Sequence, residues 1–158
     1  MSLTKVGDWQ RAGAVLKALN SYLVPAFKGR LYEDSQVVLE ALRGHIDRQD
    51  LSWTPLSQKT IELKGGDETI YVESGYLRDN IDVRKVKSSQ KDVTYFIGAS
   101  AWKKHPSGVK FSDLMIWLEY GTDKIPPRPL IRPTVDEMEN QIRSGWYDFL
   151  KDYIGGIK

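Results

Sequence analysis

Residues Glu119–Glu137 read EYGTDKIPPRPLIRPTVDE. Four of the chain's seven prolines fall here, at Pro126, Pro127, Pro129 and Pro133. Proline fixes φ and removes an amide donor, so Ile125 to Pro129 must stay extended and cannot pair fully in a sheet. The segment reads as a stiff strap, with Arg128 and Arg132 expected to point outward and Leu130 and Ile131 to anchor it to the body. Helical patterns flank it. FSDLMIWLEY, upstream, puts Leu114, Trp117 and Leu118 on one face, helped by Met115; Ser112 is the expected N-cap and Gly121 the stop. Downstream, the spacing of Val135, Met138, Ile142, Trp146, Phe149, Leu150 and Tyr153 predicts a last helix from Thr134 to Ile154. Gly145 interrupts that pattern, Gly155–Gly156 closes it, and Pro133 suits its first turn.

Outward from this core, IDVRKVK and DVTYFIGA read as two strands joined by SSQK at a hairpin-like distance. Val93, Tyr95, Ile97 and Ala99 share one side, and this clearer alternation makes the second strand the expected central one. Lys103 to Gly108 form an exposed loop. Towards the N-terminus, two helices are expected. The first spans Asp8 to Leu23, with Trp9, Ala12, Leu16, Leu19 and Leu23 on one face, and is ended by Pro25 and Gly29. The second spans Asp34 to Arg48, with Val38, Ala41, Leu42 and His45 in one stripe and Ile46 beside it. Asp34 or Ser35 would cap it, and Gly44 weakens its end. Between these regions Ser52, Thr54 and Pro55 resemble a turn, and Ser57 can cap a short helix ending at Gly65–Gly66. Gly75 breaks IYVESGYLRDNI, whose second half reads as a helical turn. The result is one α+β domain over 1–158: a helical region over about 8–48, a small antiparallel sheet built on a hairpin, and a long C-terminal helix after a proline-rich strap.

Composition narrows the function. Hydrophobic residues are 41% and charged residues 28%, ordinary values for a globular chain. The net charge of +2, from 23 Lys and Arg against 21 Asp and Glu, lacks the basic excess of a nucleic-acid binder. There are no cysteines, which excludes disulfides, thiolate chemistry and cysteine-ligated metals. No run approaches the roughly 20 apolar residues that cross a bilayer. MSLTKVGDWQRAG lacks the apolar core of a signal peptide, so a cytoplasmic product is expected. His45 lies on an apolar stripe and reads as a satisfied core residue; His105 sits in a basic loop and reads as solvated. Asp136, Glu137 and Glu139 suit the positive end of a helix dipole better than a paired-acid site. No nucleophile elbow, phosphate loop or dinucleotide fingerprint occurs, so no catalytic, cofactor or metal residues are expected and the chain reads as a non-enzyme. KKHPSGVK and RKVK can touch phosphates, though solvated charge is the better reading.

The order of short motifs says more. Trp53, Pro55, Leu56, Ser57 and Thr60 form W-x-P-L-S-x-x-T. Ser74, Gly75, Leu77, Arg78 and Ile81 form S-G-x-L-R-x-x-I. A hairpin follows, then WLEYGT from Trp117 to Thr122, then P-x-R-P-L-I-R-P to Pro133. This order resembles the virion-morphogenesis and tail-completion proteins of long-tailed double-stranded-DNA bacteriophages, also known as minor tail or neck proteins. The resemblance covers roughly residues 50 to 145. Leu130 stands where that family commonly has an aromatic and Thr134 where it has alanine; the helices before Leu51 carry no motif of it. The resemblance implies a structural virion protein, assembled in the bacterial cytoplasm. It would act at the head–tail junction or upper tail end, completing the tail as a homo-oligomeric ring around the DNA channel, six-fold to match a tail tube. Its partners would be other copies of itself, a tail terminator or tail tube protein, and a head-completion or connector protein; DNA would enter only as channel contents, with no membrane. Aromatics and arginines are favoured interface anchors, so Tyr120, Arg128, Leu130, Arg132, Trp146 and Tyr147 are the expected contacts. Lys103, Lys104 and Lys110 would face the channel or the next ring. The alternative is a nucleic-acid-binding accessory protein of a phage or prophage.

Overall fold

A computed structural model describes residues 7–72, 75–89 and 92–155. The elements run α1 (Trp9–Arg48), α2 (Gln58–Leu63), α3 (Tyr76–Asp79), β1 (Ile81–Ser88), β2 (Val93–Ala99), α4 (Phe111–Tyr120) and α5 (Ile131–Gly155). The fold is α+β, as the sequence predicts. Ser74 of the second motif and the closing Gly156 lie outside the described residues.

The two expected N-terminal helices are one helix of 40 residues, with Pro25 and Gly29 inside it. Pro25 cannot donate to the carbonyl four residues back, and a proline inside a helix costs ~3 kcal/mol. Position 25 is exposed, so water can satisfy that carbonyl. Packing supplies the compensation. Phe27 stacks on Trp146 with ring centroids 5.4 Å apart and meets Phe149 edge-on at 5.5 Å. Each such contact adds about 0.5–1.5 kcal/mol beyond the area it buries. The chain turns at Gln49, which is left-handed at φ 53°. The Gln49 side chain justifies this strain: Oε1 accepts from the Ile70 amide at 2.8 Å, and Nε2 donates to the Ile70 carbonyl at 2.9 Å.

β1 and β2 pair antiparallel from Ile81 opposite Ala99 to Ser88 opposite Val93, with a bulge between Lys85 and Lys87. Among the described residues the sheet has two strands, so β2 is not central, contrary to the sequence reading. α1 packs on the face that carries Tyr95, whose ring meets Tyr32 at 5.6 Å. Arg43 of α1 donates to the Ile81 carbonyl at 2.7 Å and fixes the start of the hairpin. The core gathers Leu39, Leu42 and Ile46 of α1 with Trp53, Tyr71, Leu77, Ile81, Phe111, Met115 and Leu130.

α4 packs Met115, Leu114 and Leu118 on the core as expected, but its most buried side is turned away from Trp117. Phe111, Met115 and Glu119 are its buried residues, one helical turn apart, and Trp117 is exposed. Its N-cap position is Lys110 rather than Ser112, without a side-chain capping bond. α5 begins at Ile131, earlier than Thr134, and Val135 is exposed rather than packed. Gly145 lies against the flexible end of the Arg30 side chain, whose guanidinium reaches Asp34 at 3.0 Å.

Carboxylates tie the N-terminal helix to the rest. Arg78 grips Asp47 through two bonds, at 2.5 and 2.6 Å. The Arg78 hydrogen bonds hold the Asp47 carboxyl below its usual range; those from His45 and then Arg48 do the same for Asp50. Hydrogen bonds from Thr69 bring Asp67 down to about 2. A lowered folded-state pKa means that the unfolded chain binds protons more readily, so each contribution is present above the unfolded value and lost as pH falls through the folded one. Acid destabilisation from these three groups is therefore expected to begin near the ordinary carboxylate value of 3.8 and, for Asp67, to continue to about 2. Thermal midpoints recorded between about pH 6 and pH 2 should fall in that range, and Asp67→Asn should flatten part of the slope; a midpoint that rises on acidification there contradicts the assignment.

Candidate functional site

The strap, residues 121–130, is clamped from both sides. Glu119, buried in the last turn of α4, aims its carboxylate at the start of α5. Its Oε2 accepts from the amides of Leu130 at 2.7 Å and Ile131 at 2.9 Å, and its Oε1 accepts from Arg132 at 3.0 Å. These are orphan amides of a helix N-terminus, where the dipole favours negative charge. Pro133, within the same turn, lacks only an amide that would have had no helical partner. Thr134 is fully buried and closes the turn by donating its hydroxyl to the Leu130 carbonyl at 2.7 Å.

The inner side of the strap is held by residues from distant motifs. The Trp53 indole donates to the Pro129 carbonyl at 2.6 Å, and the Tyr71 hydroxyl donates to the Arg128 carbonyl at 2.6 Å. Burial, reinforced by the charge of Glu119, pushes the Tyr71 phenol well above its usual pKa, so it remains a donor. Arg128 does not point outward as its sequence context suggests. It is 5% exposed. Its amide donates to the Leu118 carbonyl at 2.6 Å, and its guanidinium to the carbonyls of Thr54 at 2.7 Å and Pro55 at 3.0 Å. Burial pulls its pKa down from the usual arginine value. At the other end, Gly121 adopts φ 76°, and a Cβ there would lie 2.9 Å from the Ile125 carbonyl oxygen and the Pro127 nitrogen. Only glycine fits this return of the chain.

Two hollows flank the strap. One, of about 430 Å³, is lined by Leu56, Tyr71, Leu77, Leu114, Trp117 and Ile125, with Lys64, Lys124 and His105 also on its wall. The other, of about 630 Å³, lies between the sheet and α4, lined by Phe96, Ala99, Met115, Ile116, Tyr120 and Ile131.

The residues expected to make contacts separate into two groups. Tyr120 is 78% exposed, and Arg132 and Tyr147 also stand in solvent; Arg132 has Asp136 at 4.0 Å. Arg128 and the fully buried Leu130 serve the chain's own fold, and Trp146 is half-buried against Phe27. Ile131, expected as an anchor, is exposed. Lys103, Lys104 and Lys110 come together and are exposed, because Lys104 bridges to Lys110 and the Phe111 amide donates to the Lys103 carbonyl at 3.2 Å. Sequence reasoning missed Glu119, Tyr71 and Trp102. Trp102 is 87% exposed beside those lysines; its position directly before two lysines was the available signal.

The histidines fill structural positions. The buried His45 has Nδ1 2.6 Å from Asp50, and its Nε2 lies 3.2 Å from Glu137 of α5 but off-line for a hydrogen bond. His105 is half-buried rather than solvated, bonded to Ser107 at 2.8 Å and edge-on to Tyr76 and Phe111. Among the described residues no group of three metal-ligating side chains occurs, and no helix is long and apolar enough to cross a membrane. Comparison of the chain with family models, with curated proteins and with solved structures finds no match.

The clamp predicts a sharp contrast within one short segment. Glu119→Gln leaves one oxygen for three amides and turns an NH2 group towards them, a cost of about 2–3 kcal/mol. Arg128→Ala strips two carbonyls of their partner and should cost about 2 kcal/mol, whereas Arg132→Ala should change stability by less than about 0.5 kcal/mol. Urea unfolding of the three variants checks this, and equal effects at Arg128 and Arg132 would contradict the clamp.

Proposed function

We propose that this chain is a non-enzymatic structural protein of a phage or prophage particle, acting at the head–tail junction or upper tail end and completing the tail as a ring of identical copies. The observation that carries the reading is the braced strap, which holds Tyr120 and Arg132 in solvent while its own ends and inner carbonyls are bonded within the chain.

The motif order adds support. Trp53 of the first motif, Arg78 of the second, Glu119 of the third and Arg128 of the fourth each bond to another part of the chain, and three of them meet at the strap. The strap is rigid before any partner arrives, so docking loses little further conformational entropy. Tyr120, Arg132 and Tyr147 are the residues that meet a neighbour, while Arg128 and Leu130 hold the strap from beneath.

The test is genetic and visual. Inactivating the gene in the virus or lysogen that encodes the chain should leave separate heads and tails by electron microscopy, and supplying the wild-type chain should restore joined particles. Joined particles in its absence would overturn the reading.

A second reading, a nucleic-acid-binding accessory protein, is favoured by one observation: Trp102 stands exposed next to Lys103 and Lys104. An exposed indole among lysines suits base stacking beside phosphate contacts. Titration with single-stranded and duplex DNA across a salt series separates the two. Binding that weakens steeply with salt and is lost in Trp102→Ala supports the accessory reading; binding absent at low salt removes it.

A further inference from the structure

The hollow of about 430 Å³ beside the strap has an apolar wall that carries charge of one sign. Leu56, Leu77, Leu114, Trp117 and Ile125 make the apolar part. Lys64, Lys124 and Arg128 are the charged side chains, and among the described residues no carboxylate stands on the wall. Two acids close to it are already committed. Asp67 pairs with Lys64 at 3.0 Å, and Glu119, whose charge is felt at Tyr71, serves the three amides at the start of α5. His105, also on the wall, is bonded to Ser107.

Arg128 is the informative residue. A buried charge is normally paired with an opposite one. Among the described residues Arg128 has no such partner: Nε and Nη2 donate to the Thr54 and Pro55 carbonyls, and Nη1 makes no hydrogen bond. Two carbonyl dipoles do not neutralise a guanidinium, and its fork of five N–H groups keeps donors in reserve. Lys124 is exposed, and its ammonium has no partner among the described residues. Tyr71, on the same wall, is held at φ 65°, a left-handed backbone uncommon for an aromatic residue. Strain of this kind gathers at ligand sites.

We propose that this hollow is a binding site for a small organic acid, one carboxylate on an apolar body. The carboxylate meets Arg128 and Lys124, and the body lies against Leu77, Leu114 and Trp117. The volume falls within the range of small-ligand pockets, about 300–1,000 Å³. An inorganic anion fits less well, because most of the wall offers it nothing in exchange for its water. A cation would face three like charges. None of Tyr120, Arg132 and Tyr147 lines the hollow, and the site stands without the assembly reading.

Octanoate, 1-octanol and octylammonium share one apolar body and differ in charge. Calorimetric titration of the full chain is expected to rank them in that order, with octanoate at least about tenfold tighter than octanol. Lys124→Ala, at an exposed position outside the clamp, should weaken octanoate about threefold and leave octanol unchanged. In methyl NMR spectra octanoate should shift Leu56, Leu77 and Leu114 and leave Ala99 and Ile116 of the other hollow in place. Inorganic phosphate should not displace it. Equal binding of octanoate and octanol makes the hollow merely apolar and overturns the proposal. Displacement by phosphate, shifts confined to the other hollow, an octanoate affinity that Lys124→Ala leaves unchanged, or no octanoate binding at millimolar concentration each overturn it as well.

Discussion

The carboxylate of Glu119 sits on the amide end of α5, and the geometry of the C-terminal half follows from it. A buried charge is costly unless its hydrogen-bonding capacity is used. Here three amides and a helix dipole use it, without a basic side chain in the contact. The same residue lies in the last turn of α4, so one side chain fixes the angle between two helices and closes the strap into a loop with pinned ends. Between the pins the chain must reverse, which places glycine at 121, and must not collapse, which the prolines ensure. The strap is stiff because its ends, its inner carbonyls and its own φ angles are all determined.

That arrangement sorts the strap residues by direction. The Arg128 amide, carbonyl and guanidinium all face the body and bond there. Arg132, four residues on and past the clamp, faces solvent. The two arginines look equivalent in PPRPLIRP, yet one is an internal brace and the other a surface charge. A stiff, internally braced segment that keeps Tyr120 and Arg132 exposed is already in its binding shape, which lowers the entropic cost of docking.

Much of this was legible from sequence, for identifiable reasons. The alternation of Val93, Tyr95, Ile97 and Ala99 gives β2 its face, and Gly121 ends α4 as its position suggests. Ser57 caps α2 as read, accepting from the Thr60 amide at 3.3 Å. Three features were not legible. α1 continues through Pro25 because aromatic packing two residues later outweighs the local penalty, and local rules do not weigh distant partners. α4 turns its most buried side away from Trp117 because that stripe includes a glutamate, and hydrophobic periodicity assigns a charged residue to solvent. Arg128 is buried because Thr54 and Pro55 offer carbonyls from more than seventy positions away. Each miss is a polar or conformational exception satisfied by a tertiary contact.

The part of the chain without a recognisable motif is the part that ties the rest together. α1 supplies Arg43 to the start of β1, Asp47 to Arg78, and His45 to Asp50 and towards Glu137. All three lie in its last two turns, which the core needs. Among the described residues its first ten make no comparable contact: Trp9 to Arg11 and Gly13 to Ala18 are exposed. An isolated helical overhang of that length gains little from its own hydrogen bonds in water. Its apolar residues nevertheless keep the register of the covered stripe below, at Trp9, Leu16 and Leu23. Solubility alone would favour polar residues there. The pattern is accounted for if the stripe is meant to be covered, and the described part of α5, ending at Gly155, does not reach it.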